Sequence, residues 1–154
     1  MTDIIILFCT SIGGLLVGKM YENVSIKKEK LYLDLYEFAV KFSVNAGSNR
    51  VVLSQFVAQF ISTSGAEFAA CCNTYLLNKA GGIRFLTKKE TQYIRRFFDG
   101  LNAANSQVLQ EHLKFYTAYF DDALKQSRLD NNTKGKIGQK LGLLCGVIIG
   151  LVLI

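Results

Sequence analysis

The chain has no proline, no tryptophan and only one histidine, His112, among its 154 residues. Half of the residues are apolar and 19% are charged. That balance excludes a disordered chain, a collagen-like repeat and a proline-rich linker. Charge is also missing from both ends. All 18 Lys and Arg residues, and every acid except Asp3, lie between Lys19 and Lys140. The middle therefore has the composition of one water-soluble domain of ordinary size, and the ends do not.

Catalytic chemistry is scarce. A general base needs an orienting partner and a nucleophile, and no spacing around His112 and Glu111 supplies either. Of the four cysteines, Cys9 and Cys145 fall inside apolar runs, leaving the adjacent pair Cys71 and Cys72. Two thiols are too few for a zinc site, and in the cytosol they stay reduced, so they read as small packing residues. Gly13-Gly14 and Gly81-Gly82 lack the neighbours of a phosphate-binding loop. These absences predict no catalytic residues, no metal and no cofactor.

The uncharged ends carry their own signal. Ile4 to Gly18, IIILFCTSIGGLLVG, has no charge for 15 residues, and Leu141 to Ile154, LGLLCGVIIGLVLI, has none for 14. Crossing ~30 Å of hydrocarbon takes roughly 20 apolar residues. Lys19 and Lys140 can snorkel, and Met20, Tyr21 and Ile137 lengthen the runs. Two transmembrane helices are predicted, over 1–20 and 137–154, around a helical domain over 21–136; the alternative is two buried helices of one core. Asp3 stands where a signal peptide has its basic region, and no small-x-small site follows Gly18, so the first run reads as a span. Lys27, Lys28 and Lys30 follow the first run, while Lys125, Arg128, Lys134 and Lys136 precede the second. Basic flanks are retained in the cytoplasm, which predicts both termini outside and the middle domain in the cytosol. Gly138, Gly142, Gly146 and Gly150 recur every fourth residue, and Gly14 and Gly18 repeat the spacing in the first run. Small residues in register let helices approach closely in lipid, with the other span or a second copy as partner.

Between the runs the pattern is all-α, with four or five helices. Leu31, Leu35, Phe38 and Phe42 mark one helical face ending near Asn45-Ala46-Gly47. A second helix is expected from Ser48 or Asn49, burying Val52, Phe56 and Phe60. Ser64-Gly-Ala-Glu67 and Thr87-Lys-Lys-Glu90 both read as capping boxes. The first opens a helix with Phe68, Cys71, Cys72, Tyr75 and Leu76 that ends at Gly81-Gly82; the second opens one with Ile94, Phe97, Phe98 and Leu101 inward. The longest amphipathic stretch carries Leu109, Leu113, Tyr116, Phe120 and Leu124, and Asn131-Asn132-Thr133 with Gly135 weakens or interrupts it.

The chain carries a net charge of +6. Much of the excess borders the apolar runs, where topology and anionic headgroups account for it. Lys88, Lys89, Arg95 and Arg96 form a tighter cluster, readable as a docking surface for an acidic partner or as a solvated face. No nucleic-acid reader motif is present.

The stretch LTKKETQYIRRFFDGL (Leu86 to Leu101), the amphipathic helix after it and the ending KGKIGQKLGLLCGVIIGLVLI resemble the stage III sporulation protein AB family. Members similarly open with a hydrophobic helix, continue as a cytosolic helical domain and close with a Gly-rich hydrophobic helix. Where many members carry acids and a proline, this chain reads AVKFSVNAGSNRVVL, with Lys41. The resemblance implies a component of the sporulation channel complex in the mother-cell membrane facing the forespore. By the same resemblance its role would be similar to that of a type II secretion inner-membrane platform protein, contacting other subunits that include a secretion-type ATPase. A small pore-forming or membrane-permeabilising protein assembled through the Gly-rich helices is the competing reading. Its spans would offer only Thr10 and Ser11 as polar groups.

Overall fold

In the computed structural model, residues 2–48, 52–76, 83–102 and 105–153 are described. All of the regular structure among them is helical: α1 (Thr2–Ser48), α2 (Leu53–Ile61), α3 (Ala66–Tyr75), α4 (Lys88–Gly100), α5 (Ser106–Asp130), a π-helical segment (Asn131–Gly135) and α6 (Lys136–Leu153). The chain divides into two compact units. One comprises residues 1–29 and 126–154, the other residues 30–125.

The unit of residues 30–125 is built on phenylalanine. Leu31, Leu35, Phe38 and Phe42 are buried along one face of α1, as their spacing requires, and Tyr32 and Ala39 join them. Phe38 is fully buried and sits 5.3–5.7 Å, ring to ring, from Phe42, Phe56, Phe60 and Phe68. Its ring also meets Phe97 of α4 edge-on at 6.1 Å. Phe97 in turn reaches Phe120 and Tyr116 of α5, at 5.0 and 5.4 Å. Two side chains thus connect every helix of this unit. Each buried ring contributes about 1.5–3 kcal/mol from area alone, and each well-placed aromatic pair about 0.5–1.5 kcal/mol more.

Two local expectations are corrected. Helix α2 begins at Leu53 rather than at Ser48 or Asn49, and Val52, expected inside, is its N-cap and 57% exposed. With no proline to end it sooner, α1 runs on to Ser48, where a second helix was expected to start. The Ser64 capping box does not form. Gly65 is the N-cap of α3, and its N–H donates to Asp34 Oδ2 of α1 at 2.9 Å. A side chain at Gly65 would press on that carboxylate, so the glycine permits the close approach. Burial pushes the Asp34 carboxyl above its usual range, with Glu37 and Glu67 adding to the rise while the Gly65 amide opposes it. At residues 131–135, where the sequence is expected to weaken or interrupt the helix, it widens into a π-turn. The Gly81-Gly82 stop lies outside the described residues.

In the other unit, Glu29 of α1 ties the end of α5 and the π-segment together. Its Oε2 accepts from Asn131 Nδ2 at 2.9 Å, and its Oε1 lies 3.4 Å from Arg128 Nε. Asn, Thr and Gly are weak helix formers, and the Thr133 hydroxyl bonds back to the Leu129 carbonyl. Together these features account for a widened turn at that point. Helices stand where the sequence places both apolar runs. Among the described residues, though, no helix is long and apolar enough to cross a membrane. Runs of 15 and 14 uncharged residues fall short of the roughly 20 that a bilayer core needs.

Gly100 in the last turn of α4 makes room for the His112 ring, which a Cβ would overlap. His112 is half-buried, with Nε2 2.9 Å from the Phe97 carbonyl and its ring parallel to Phe97. Gly100→Ala should therefore destabilise the full chain by about 1–3 kcal/mol, although Ala is favoured over Gly by about 1 kcal/mol in an open helix. Combined with His112→Ala, the same change should become neutral or stabilising. Denaturant unfolding of both variants decides it; an equal loss in the two backgrounds would mean that the imidazole is not what Gly100 accommodates.

Candidate functional site

Helix α4 is the most sharply two-sided element of the chain, and its start explains why. The Thr87 capping box is complete. Glu90 N–H donates to Thr87 Oγ1 at 3.3 Å, and Glu90 Oε2 accepts from the Thr87 N–H at 2.7 Å and from its hydroxyl at 2.8 Å. The same carboxylate is hydrogen-bonded to the buried Tyr32 side chain of α1, whose hydroxyl is pushed up first by burial and then by Glu90. One acid therefore starts the helix and pins its rotation against the core.

With that rotation set, Ile94, Phe97, Phe98 and the following Leu101 point inward and are buried. At about 3.6 residues per turn, Lys88, Lys89, Gln92, Arg95, Arg96 and Asp99 share the opposite arc, and all six are exposed. Four cations thus face solvent together, with the Asp99 carboxylate as the one acid among them. None of the described ion pairs involves them: those pairs are Lys41–Glu37, Lys125–Asp121 and Arg128–Glu29. The basic residues act on their surroundings all the same. Burial raises the Tyr75 and Tyr116 hydroxyls, and Arg95 and Arg96 respectively oppose the rise.

The glycines divide into two cases. Gly18 is buried and Gly14 half-buried on α1, while their neighbour Gly13 faces open space. Gly138, Gly142, Gly146 and Gly150 all fall on α6, but their surroundings lie outside the described residues.

Cys71 and Cys72 are buried in the phenylalanine cluster. Burial pushes the Cys72 thiol up to about 12 and the Cys71 thiol up as well, so neither is a nucleophile at neutral pH. A groove of about 520 Å³ between α2 and α3 is lined by Val52, Leu53, Val57, Ile61, Leu76 and Cys72, among others, and that raised thiol is its one titratable group. Among the described residues no three His, Cys, Asp or Glu gather as metal ligands. The four exposed cations of α4 present a surface that can attract an acidic group.

Sequence reasoning located the α4 face through the capping box and the spacing of its apolar residues. It missed four contacts that join distant parts of the chain: Asp34 with Gly65, Glu29 with both Arg128 and Asn131, and His112 with Phe97. No local pattern announces them. It also missed the exposure of Phe115, which its helical phase against Leu113, Tyr116 and Phe120 could have revealed.

A family model described as stage III sporulation protein AB matches residues 35–154, which include all of α2 to α6. No curated protein and no solved structure matches the chain. The match covers more than half of the chain, and the chain belongs to the stage III sporulation protein AB family.

Proposed function

We propose that this member of the family is a non-enzymatic, membrane-anchored scaffold of the stage III sporulation complex. Its role would be similar to that of a secretion-system inner-membrane platform protein beside a cytosolic ATPase. The observation that carries the reading is where apolar surface is exposed. Among the described residues, every exposed large apolar side chain except Val44, Val52, Val108 and Phe115 belongs to the unit of residues 1–29 and 126–154. Leu16, Val17 and Met20 on α1, and Leu144, Ile149 and Val152 on α6, are each more than half exposed. Water disfavours such a surface, and a bilayer accepts it.

In this reading α1 and α6 anchor the chain in the mother-cell membrane facing the forespore. Lys19 and Lys140 lie at the interface and extend the short uncharged runs by snorkelling. Basic flanks hold the unit of residues 30–125 in the cytosol, with both termini outside. The glycine stripes pack α6 against α1 or a second copy. The face of Lys88, Lys89, Arg95 and Arg96 docks acidic surface on a neighbouring subunit, the ATPase first among them.

Three outcomes are expected. In a chain carrying Cys9→Ser and Cys145→Ser, a membrane-impermeant maleimide should label Gln92→Cys in inside-out vesicles and not in intact cells. Cys71 and Cys72 should stay silent because their thiols are buried and protonated. Labelling in intact cells would place the domain outside and end the scaffold reading. Reversing all four charges on α4 should reduce co-purification of the ATPase at least tenfold, about 1.4 kcal/mol, while the unfolding midpoint stays put. Unchanged recovery would leave that face merely solvated. Finally, Gly142→Leu and Gly146→Leu should each lower cross-linking of α6 to its helix partner, and undiminished cross-linking in both refutes the stripe.

A further inference from the structure

Phe115 on α5 is 59% exposed, whereas the other described phenylalanines of the 30–125 unit are buried or half-buried. Val108, two helical turns earlier on the same side, is 53% exposed. Neither serves the core of its own unit. From Phe115 a continuous run of rings leads to α4. Tyr116 lies 5.1 Å away, Tyr119 lies 6.3 Å beyond it, and Tyr119 stacks on Tyr93 at 4.7 Å and 13°. Tyr116 itself is buried, so the part of the run that is open at the surface is Phe115 with the half-buried Tyr119 and Tyr93. Tyr93 is four residues after Lys89 and three before Arg96, which puts it at the border of the basic face.

We propose that this aromatic strip and the basic face form one docking surface for a segment of a protein partner that carries both acidic and apolar side chains. The segment's carboxylates would meet Lys89 and Arg96, and an apolar side chain would seat on Phe115 beside Val108. The proposal rests on the reading that the α4 face binds a partner, and it specifies that partner's chemistry. Tyr, Phe and Arg together are the composition of interface hot spots. The charges order the strip from one edge to the other. Cations line the α4 edge, while exposed Glu111 and Asp122 flank Phe115 on α5. A bound segment would therefore carry acid on its α4 side and a basic group toward α5. An anionic membrane surface is disfavoured as the occupant, because burying Phe115 in it would bring both carboxylates against the headgroups.

The test places p-benzoylphenylalanine at position 115 of the full chain in sporulating cells. Irradiation should give an adduct with one protein, and the cross-linked peptide should carry an apolar residue bordered by Asp or Glu. Lys89→Glu with Arg96→Glu should lower the adduct yield at least tenfold. Both positions are exposed, and an unchanged unfolding midpoint checks that the double variant remains folded. A lipid adduct, an adduct with a second copy, no adduct, or a yield indifferent to the two reversals overturns the proposal. Loss of ATPase co-purification on reversing the α4 charges, together with no protein adduct at 115, would leave the α4 docking reading standing and end this one.

Discussion

The contact between Phe38 and Phe97 is the constraint from which the rest of the 30–125 unit follows. Phe38 gathers rings from α1, α2 and α3, and Phe97 carries the cluster on to α5. Interiors are packed at crystal-like density, so each helix has few rotations that bury its share of rings without a void. Helix α4 is the clearest case. Once Ile94, Phe97 and Phe98 are committed inward, the four cations have only solvent to face. Its basic face is a consequence of its apolar one.

The buried polar groups reinforce that arrangement at points the apolar pattern leaves open. Glu90 joins the start of α4 to Tyr32, and Asp34 joins α1 to the start of α3 through Gly65. Both bonds link a helix N-terminus to α1, where an orphan amide or a capping acid needs a partner. His112 does similar work at the other end of α4, over Gly100. Each fixes an element along its axis as well as around it. A surface made of residues from both α4 and α5, such as the strip from Arg96 to Phe115, depends on that registration.

In the other unit the helical ladder changes character. Glu29 holds Asn131 and Arg128 where α5 gives way to the π-segment and α6. A half-exposed ion pair of this kind contributes no more than about 1 kcal/mol. Its effect is positional, since it ties α1 to the one turn of the α5–α6 helix whose hydrogen bonding is least regular.

The sequence by itself determined that the chain is helical, which face of the amphipathic helices is apolar and where charge stops. Leu31 to Phe42, Ile94 to Leu101 and Leu109 to Leu124 were legible because a helix repeats its environment every three to four residues. The Thr87 box was legible because donor and acceptor lie within one turn. Ser64 followed the same local rule, and tertiary structure overrode it, because Asp34, thirty-one residues away in sequence, supplied the partner. The length of α1, the π-turn at Asn131, the place of His112 over Gly100 and the outward turn of Phe115 were likewise decided only in the folded chain. Each depends on which groups from distant segments compete for the same space or the same hydrogen bond, and local sequence carries no record of that competition.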